Sequence, residues 1–108
     1  MLNFENERDK IVGIVSRFTG VEFEDIIHRD RHWYIMVPRH IAVTLFYKKY
    51  KSLGLSLKKA GEMFDGRDHT TIINSIRAVE NLVVTDPDFK RVFNKIKEEV
   101  DNVERLSN

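Results

Sequence analysis

Apolar residues recur along this chain at the three- and four-residue spacing of an α-helix. Alternating apolar and polar residues, the mark of a half-buried strand, are nearly absent apart from the short run Trp33 to Val37. Because the helical period dominates throughout, the pattern predicts an all-α fold with about six helices.

Glycine and proline divide the first half of the chain. The apolar stripe from Phe4 to Phe18 ends at Gly20, which suits a left-handed cap at a helix C-terminus. A short second helix is expected over Phe23 to His28, followed by a basic loop over Arg29 to Val37. The third helix is expected from Pro38 to about Leu53, since proline costs nothing in a helix's first turn.

Polar residues mark the helix starts in the second half. Ser56 is expected to cap a short fourth helix, which Asp65-Gly66 ends. A fifth helix begins near Asp68, and Asp86-Pro87 predicts the start of the last one. The last helix has an apolar stripe with charged residues opposite, formed by Phe89, Val92, Phe93, Ile96, Val100 and Val103.

Composition excludes several classes of protein. The 108 residues amount to one domain, and the absence of cysteine excludes disulfide scaffolds, cysteine-bound zinc and thiol catalysis. No membrane span, secretory signal or metal-binding histidine spacing occurs, so we expect a cytoplasmic protein that binds no metal. The sequence contains no nucleophile or acid–base constellation that would indicate an enzyme.

Charge is distributed unevenly, although the formal net charge is only +1. Residues 28–52 contain six basic residues and one acidic residue, whereas residues 1–27 contain three basic and six acidic residues. A basic middle between acidic ends indicates one face that meets an anion and another that faces water. A merely solvated basic face is the alternative.

The segment from Leu57 to Ile76 has the pattern of a helix-turn-helix: a short helix with small residues, a turn around a glycine, and a longer helix. Its second helix opens with five polar residues, Arg67 to Thr71, before the apolar stripe begins. In DNA-binding helix-turn-helix proteins the start of the second helix meets base edges in the major groove.

The residue types at this start suit duplex DNA. Arg67 can donate to guanine or phosphate, and Asp68 can accept from the cytosine amino group. His69 can make a polar contact, while Thr70 or Thr71 offers a methyl group to thymine and a hydroxyl to phosphate. Asp68 could instead serve only as the cap of its helix.

Gly66 to Ile72, with the sequence GRDHTTI, and the preceding Ala60 to Phe64 resemble the C-terminal DNA-binding domain of the DnaA family, the bacterial chromosome replication initiators. Pro38 to Ala42 and Ile76-Arg77 extend the resemblance, which runs from about Glu7 to Val79. It implies a helical domain related to the Trp-repressor type, with the helix-turn-helix at about 56–84.

The resemblance also implies a function. It implies double-stranded DNA as the partner, bound at an asymmetric A·T-rich site during replication initiation or its regulation, with other replication proteins as further candidate partners. By match, Asp68, His69 and Thr70 would read bases. By the same match Arg67, Thr71 and Arg39 would meet phosphate. Lys48 and Lys49, from the basic middle of the chain, are further candidates for backbone contacts.

Two features depart from the family pattern. The family usually has an arginine in the minor groove immediately before the helix-opening proline, where this chain has Val37, so Arg29 or Arg31 becomes the candidate for that groove. The stretch from Tyr47 to Leu55 is longer than usual, so Lys48, Lys49 and Lys51 cannot be matched one to one. A protein-interaction module that has lost specific DNA binding is therefore the alternative function. No P-loop occurs, so we expect neither ATP binding nor any cofactor.

Overall fold

A computed structural model describes residues 2–28 and 33–107, without the side chains of Trp33 and residues 104–107. Every regular element in these ranges is helical, which confirms the all-α prediction. The helices are α1 (Phe4–Thr19), α2 (Phe23–Ile27), α3 (Trp33–Tyr50), α4 (Leu57–Met63), α5 (His69–Thr85) and α6 (Pro87–Ser107), with a 3₁₀ turn at Lys51–Leu53. None of these helices is long and apolar enough to cross a membrane.

The helix boundaries follow local capping signals. The side chain of Ser56 accepts a hydrogen bond from the amide of Lys59 at 3.0 Å, which begins α4 as predicted. Gly20 ends α1 with φ at 75°, in the left-handed region, and donates its amide to the carbonyl of Ser16. Each cap satisfies a backbone group that the helix end would otherwise leave without a partner.

The start of α3 differs from its prediction. We expected a loop up to Val37 and a helix from Pro38, but α3 begins at Trp33 and holds Pro38 in its interior. Proline lacks an amide hydrogen, so it removes one hydrogen bond of the second turn. Ile35 is completely buried, and packing of this side chain supports the added turn. The strand-like alternation at Trp33 to Val37 therefore belongs to a helix.

Helix α3 lies at the centre of the molecule, packed against α1, α2, α4 and α5. Phe46 of α3 and Phe64, which follows α4, are fully buried, and their ring centroids lie 6.0 Å apart. Tyr50 is buried as well and donates its hydroxyl to a carboxylate oxygen of Glu7 on α1 at 2.6 Å. The core thus joins α1, α3 and α4, and α5 packs on this unit.

Helices α3 and α5 run in the same direction. His40 of α3 is hydrogen-bonded to Ser75 of α5 at 2.8 Å. Further along both helices, Lys48 of α3 donates to Glu80 of α5 at 3.2 Å. Because both contacts advance toward the C-termini, the N-terminal ends of α3 and α5 lie at the same end of the molecule.

Candidate nucleic-acid interface

Helices α4 and α5 cross with their backbones in close contact. Gly61 of α4 is buried, and a Cβ atom placed on it would lie 1.9 Å from the carbonyl oxygen of Arg67. Only glycine permits this approach, because any side chain would force the turn away from α4. Gly61 therefore fixes the position of the residues that lead into α5.

The turn between the two helices is tight and left-handed. Asp65 and Gly66 have φ values of 63° and 71°. Aspartate tolerates this region better than most residues, and glycine occupies it without cost. The amide of Arg67 then donates to the carbonyl of Gly61 at 2.9 Å and closes the turn. The sequence pattern predicted this break between helices correctly.

The start of α5 is a polar and exposed surface, named here the α5 tip (residues 68–71). Asp68 precedes the helix as its N-cap, and its Oδ1 accepts from the amide of Thr71 at 2.9 Å. Asp68, His69 and Thr70 are exposed, and Thr71 is half-buried. The cap therefore leaves the Asp68 side chain on the exposed surface, beside His69 and Thr70.

The carboxyl group of Asp68 is held in its charged form. The backbone hydrogen bond from Thr71 is the main cause that lowers its pKa below the ordinary value. An ionised carboxylate can only accept hydrogen bonds. At neutral pH it would therefore suit an amino group, such as that of cytosine, and repel a phosphate.

Arg67 lies beside the α5 tip but turns partly inward. It is half-buried, and its Nη2 donates to the carbonyl oxygen of His28 at 3.3 Å. The positive charge still lies at the entrance to α5, beside a surface that Lys58 and His69 also line. Arg67 thus has an internal contact in addition to the position that the sequence predicted.

The position of Arg39 contradicts the predicted phosphate contact of this residue. Its side chain is only 5% exposed. Its Nε donates to the carbonyl of Ile26 at 2.9 Å, and its Nη2 donates to the carbonyls of Asp25 at 2.7 Å and of His28. The guanidinium is occupied by the C-terminal end of α2, because this short helix leaves its last carbonyls in need of donors. Arg39 therefore faces the protein interior.

Lys48 and Lys49 lie at the other end of α3, away from the α5 tip. Lys48 pairs with Glu80 at 3.2 Å, and Lys49 pairs with Asp101 of α6 at 3.3 Å. These carboxylates offset the lysine charges. The expected contacts of the two lysines with the DNA backbone stay a prediction.

The minor-groove candidates fall in two groups. Arg29 and Arg31 lie outside the described residues. Val37 is 39% exposed at the start of α3, with Tyr34 and Met36 exposed beside it. The structure therefore places Val37 on the surface.

His40 is a residue that the sequence pattern did not single out. It is half-buried and bridges α3 to Ser75, which is itself buried in the middle of α5. Burial is the main cause that lowers its pKa, and the charges of Arg39 and Arg67 lower it further. A polar residue on the inward face of α5, such as Ser75, was the available signal for a buried polar partner.

The fold and this site define a helix-turn-helix protein: two helices that cross at a glycine, with an exposed polar start on the second. The model of the bacterial DnaA helix-turn-helix family matches residues 8–79. The chain belongs to this family, as the GRDHTT stretch had indicated.

Curated relatives and a solved structure agree with this assignment. The chain is 34% identical over 98 residues to the chromosomal replication initiator protein DnaA of Acholeplasma laidlawii strain PG-8A, covering 91% of this chain and 21% of the relative. It is 33% identical over 88 residues to DnaA of Neisseria meningitidis strain FAM18, covering 82% and 16% of the two chains. The chain thus spans about a fifth of the length of these relatives.

Among solved structures, the crystal structure of a DNA replication initiation factor superposes with a TM-score of 0.73 and 28% identity. The match covers 90% of this chain and 29% of the other.

Proposed function

We propose that this chain binds double-stranded DNA sequence-specifically through the α5 tip and acts in replication initiation or its regulation, at the chromosome in the cytoplasm. The observation that carries this proposal is the combination of an exposed polar helix start with a turn that holds it rigidly on Gly61. Membership of the DnaA helix-turn-helix family supports it. In this proposal Asp68, His69 and Thr70 read base edges in the major groove.

Affinity would come from phosphate contacts around this groove. Thr71 is the proposed phosphate partner at the start of α5, where its hydroxyl would leave its hydrogen bond to Asp68. Lys48 and Lys49 would require release from Glu80 and Asp101 to reach the DNA backbone. They are therefore proposed as secondary contacts. No ATP or enzymatic activity is part of this proposal.

The alternative is a protein-interaction module that has lost specific DNA binding. The exposure of Asp68, His69 and Thr70 favours DNA binding, because a base-reading surface must be solvent-accessible before the duplex arrives. Selection of binding sites from random duplexes tests the choice. Recovery of a defined motif, whose affinity falls steeply as salt is raised, is the expected result. No enrichment of any motif would overturn the proposal.

A further inference from the structure

We infer that Arg39 and Arg67 position the α5 tip from inside the protein by binding the carbonyls at the C-terminal end of α2, and that neither acts as a phosphate contact. This inference rests on the proposed function. It concerns three carbonyls, those of Asp25, Ile26 and His28, named here the α2 carboxyl end.

The α2 carboxyl end needs donors. Helix α2 has five residues, and a single backbone hydrogen bond, from the amide of His28 to the carbonyl of Glu24, closes its end. Among the described residues no helix amide donates to the later carbonyls, which carry the negative end of the helix dipole. Arg39 supplies a cation with fixed, planar donors to all three of them. Burying this guanidinium is tolerable because those acceptors compensate for its lost hydration.

Arg67 binds the same place from the helix-turn-helix side. Its Nη2 and the Nη2 of Arg39 both donate to the carbonyl oxygen of His28. The imidazole of His28 adds a second link, since its Nδ1 lies 3.9 Å from Oδ2 of Asp65 in the turn. His28, the residue that ends α2, is therefore joined to α3 through Arg39 and to the turn through Arg67.

The consequence for the α5 tip follows from chain order. Arg67 directly precedes Asp68, and its amide is also fixed on the carbonyl of Gly61 at 2.9 Å. With its backbone held by α4 and its side chain held by α2, Arg67 sets where the cap of α5 lies. Base reading depends on placement within about 0.5 Å, so a small shift here lowers discrimination.

Two substitutions at each arginine separate positioning from phosphate binding. Arg67→Met and Arg39→Met retain the apolar stem but lose every donor, whereas Arg67→Lys and Arg39→Lys retain the charge but lose the planar fork. For positioning, both kinds of variant should lower the preference for the selected duplex over a scrambled one about tenfold. The slope of log affinity against log salt should stay at the wild-type value.

A phosphate contact gives the opposite results. The Met variants would weaken binding to both duplexes equally and reduce the salt slope by about 0.9, while the Lys variants would retain wild-type binding. Arg91→Met is the matched control, because Arg91 lies on α6, its side chain is 64% exposed, and it pairs with Asp88 of the same helix. Its preference and slope should equal those of the wild type.

The amide NMR spectrum of the free protein gives an independent measurement. Positioning predicts that Arg67→Met shifts the amide signals of Asp68, His69 and Thr70 without DNA present, at a nearly unchanged melting temperature. Unshifted signals together with a reduced salt slope would overturn the inference. If the wild type binds no duplex, the proposed function fails, and the NMR shifts still decide whether Arg67 positions the tip. If Arg39→Met fails to fold, the Arg67 pair decides.

Discussion

Helices α5 and α6 begin in the same way and face different surroundings. Each opens with an aspartate cap: Asp68 accepts from the amide of Thr71 at 2.9 Å, and Asp86 accepts from the amides of Asp88 and Phe89 at 3.1 Å. The first turn of α5 contains no acidic residue, whereas that of α6 contains Asp88. An incoming phosphate would therefore meet two carboxylates at the start of α6, those of Asp86 and Asp88, and one at the start of α5, that of Asp68.

The residues before each cap differ as well. Arg67, before Asp68, is joined to Gly61 and His28. Thr85, before Asp86, is the last residue of α5 itself, and its hydroxyl donates to Asn81 in the same helix. Capping therefore explains why both helices start where they do. The attachment of the preceding residue to other helices explains why only α5 presents a fixed polar surface.

The largest effect is expected from Gly61→Ala, which would remove the fixed position that distinguishes the start of α5 from that of α6. The new methyl group would lie 1.9 Å from the carbonyl oxygen of Arg67, and backbone must move to relieve the contact. We expect a loss of about 3 kcal/mol in unfolding free energy, the upper part of the usual range for overpacking. Gly13→Ala on α1 is the control, since no neighbouring atom lies within 4 Å of its Cβ. This control should gain about 0.5–1 kcal/mol from its helix propensity. Equal urea midpoints for the two variants would contradict the close crossing.

The paired substitutions Asp68→Ala and Asp86→Ala separate capping from base reading. Both remove a helix cap, so each should lose about 1 kcal/mol of stability. Only Asp68→Ala should reduce discrimination between cognate and random duplex, by about 1–3 kcal/mol for a lost base contact. Competition binding at fixed salt measures this difference. If Asp86→Ala reduced discrimination as much, the α5 tip would not be the reading surface.

Val37→Arg would sharpen the contrast between α5 and α6 by adding a cation near the N-terminal end of α3, which lies at the same end of the molecule as the α5 tip. Val37 is 39% exposed, so the variant should keep the wild-type melting temperature. If this position lies over a narrow A·T-rich minor groove, affinity should rise and the salt slope should increase by about 0.9. Val84→Arg is the control, because Val84 is 84% exposed near the C-terminal end of α5. A stable Val37→Arg protein with unaltered affinity for A·T-rich duplex would exclude the minor-groove placement.

The sequence predicted those features that local chemistry determines. Ser56, Asp68 and Asp86 start helices because each cap needs only the three residues that follow. The motif at 66–72 was recognisable because its polar run interrupts an apolar stripe. The site residues it contains became candidates for that reason, before any tertiary contact was known.

The features that were missed depend on tertiary contacts. Pro38 gave a local signal for a helix start, but burial of Ile35 extends α3 by more than a turn. The resemblance assigned Arg39 to phosphate because it places this residue at the start of its helix. Its acceptors lie at the end of another helix, and one of them, Ile26, is 13 residues away in the chain. The spacing of residues in the sequence gives no sign of such a contact.

The smallest expected effect concerns the bond between His40 and Ser75, which ties α5 to α3. Burial and the charges of Arg39 and Arg67 lower the pKa of His40 below 6.5 in the folded state. The unfolded chain therefore binds the proton more readily, so this contribution to stability is present above about pH 6.5 and is lost as pH falls toward the folded pKa. The melting temperature should decrease over this window.

His40→Gln is the matched variant, because glutamine can still hydrogen-bond to Ser75 but cannot be protonated. The other three histidines remain in it, so the difference between the two proteins isolates His40. We expect its melting temperature to vary less between pH 7.5 and 5.5 than that of the wild type, because the variant lacks one group whose pKa differs between the folded and unfolded states. Calorimetric scans at several pH values would measure both curves. Parallel curves would mean that protonation of His40 does not act on the junction of α3 and α5.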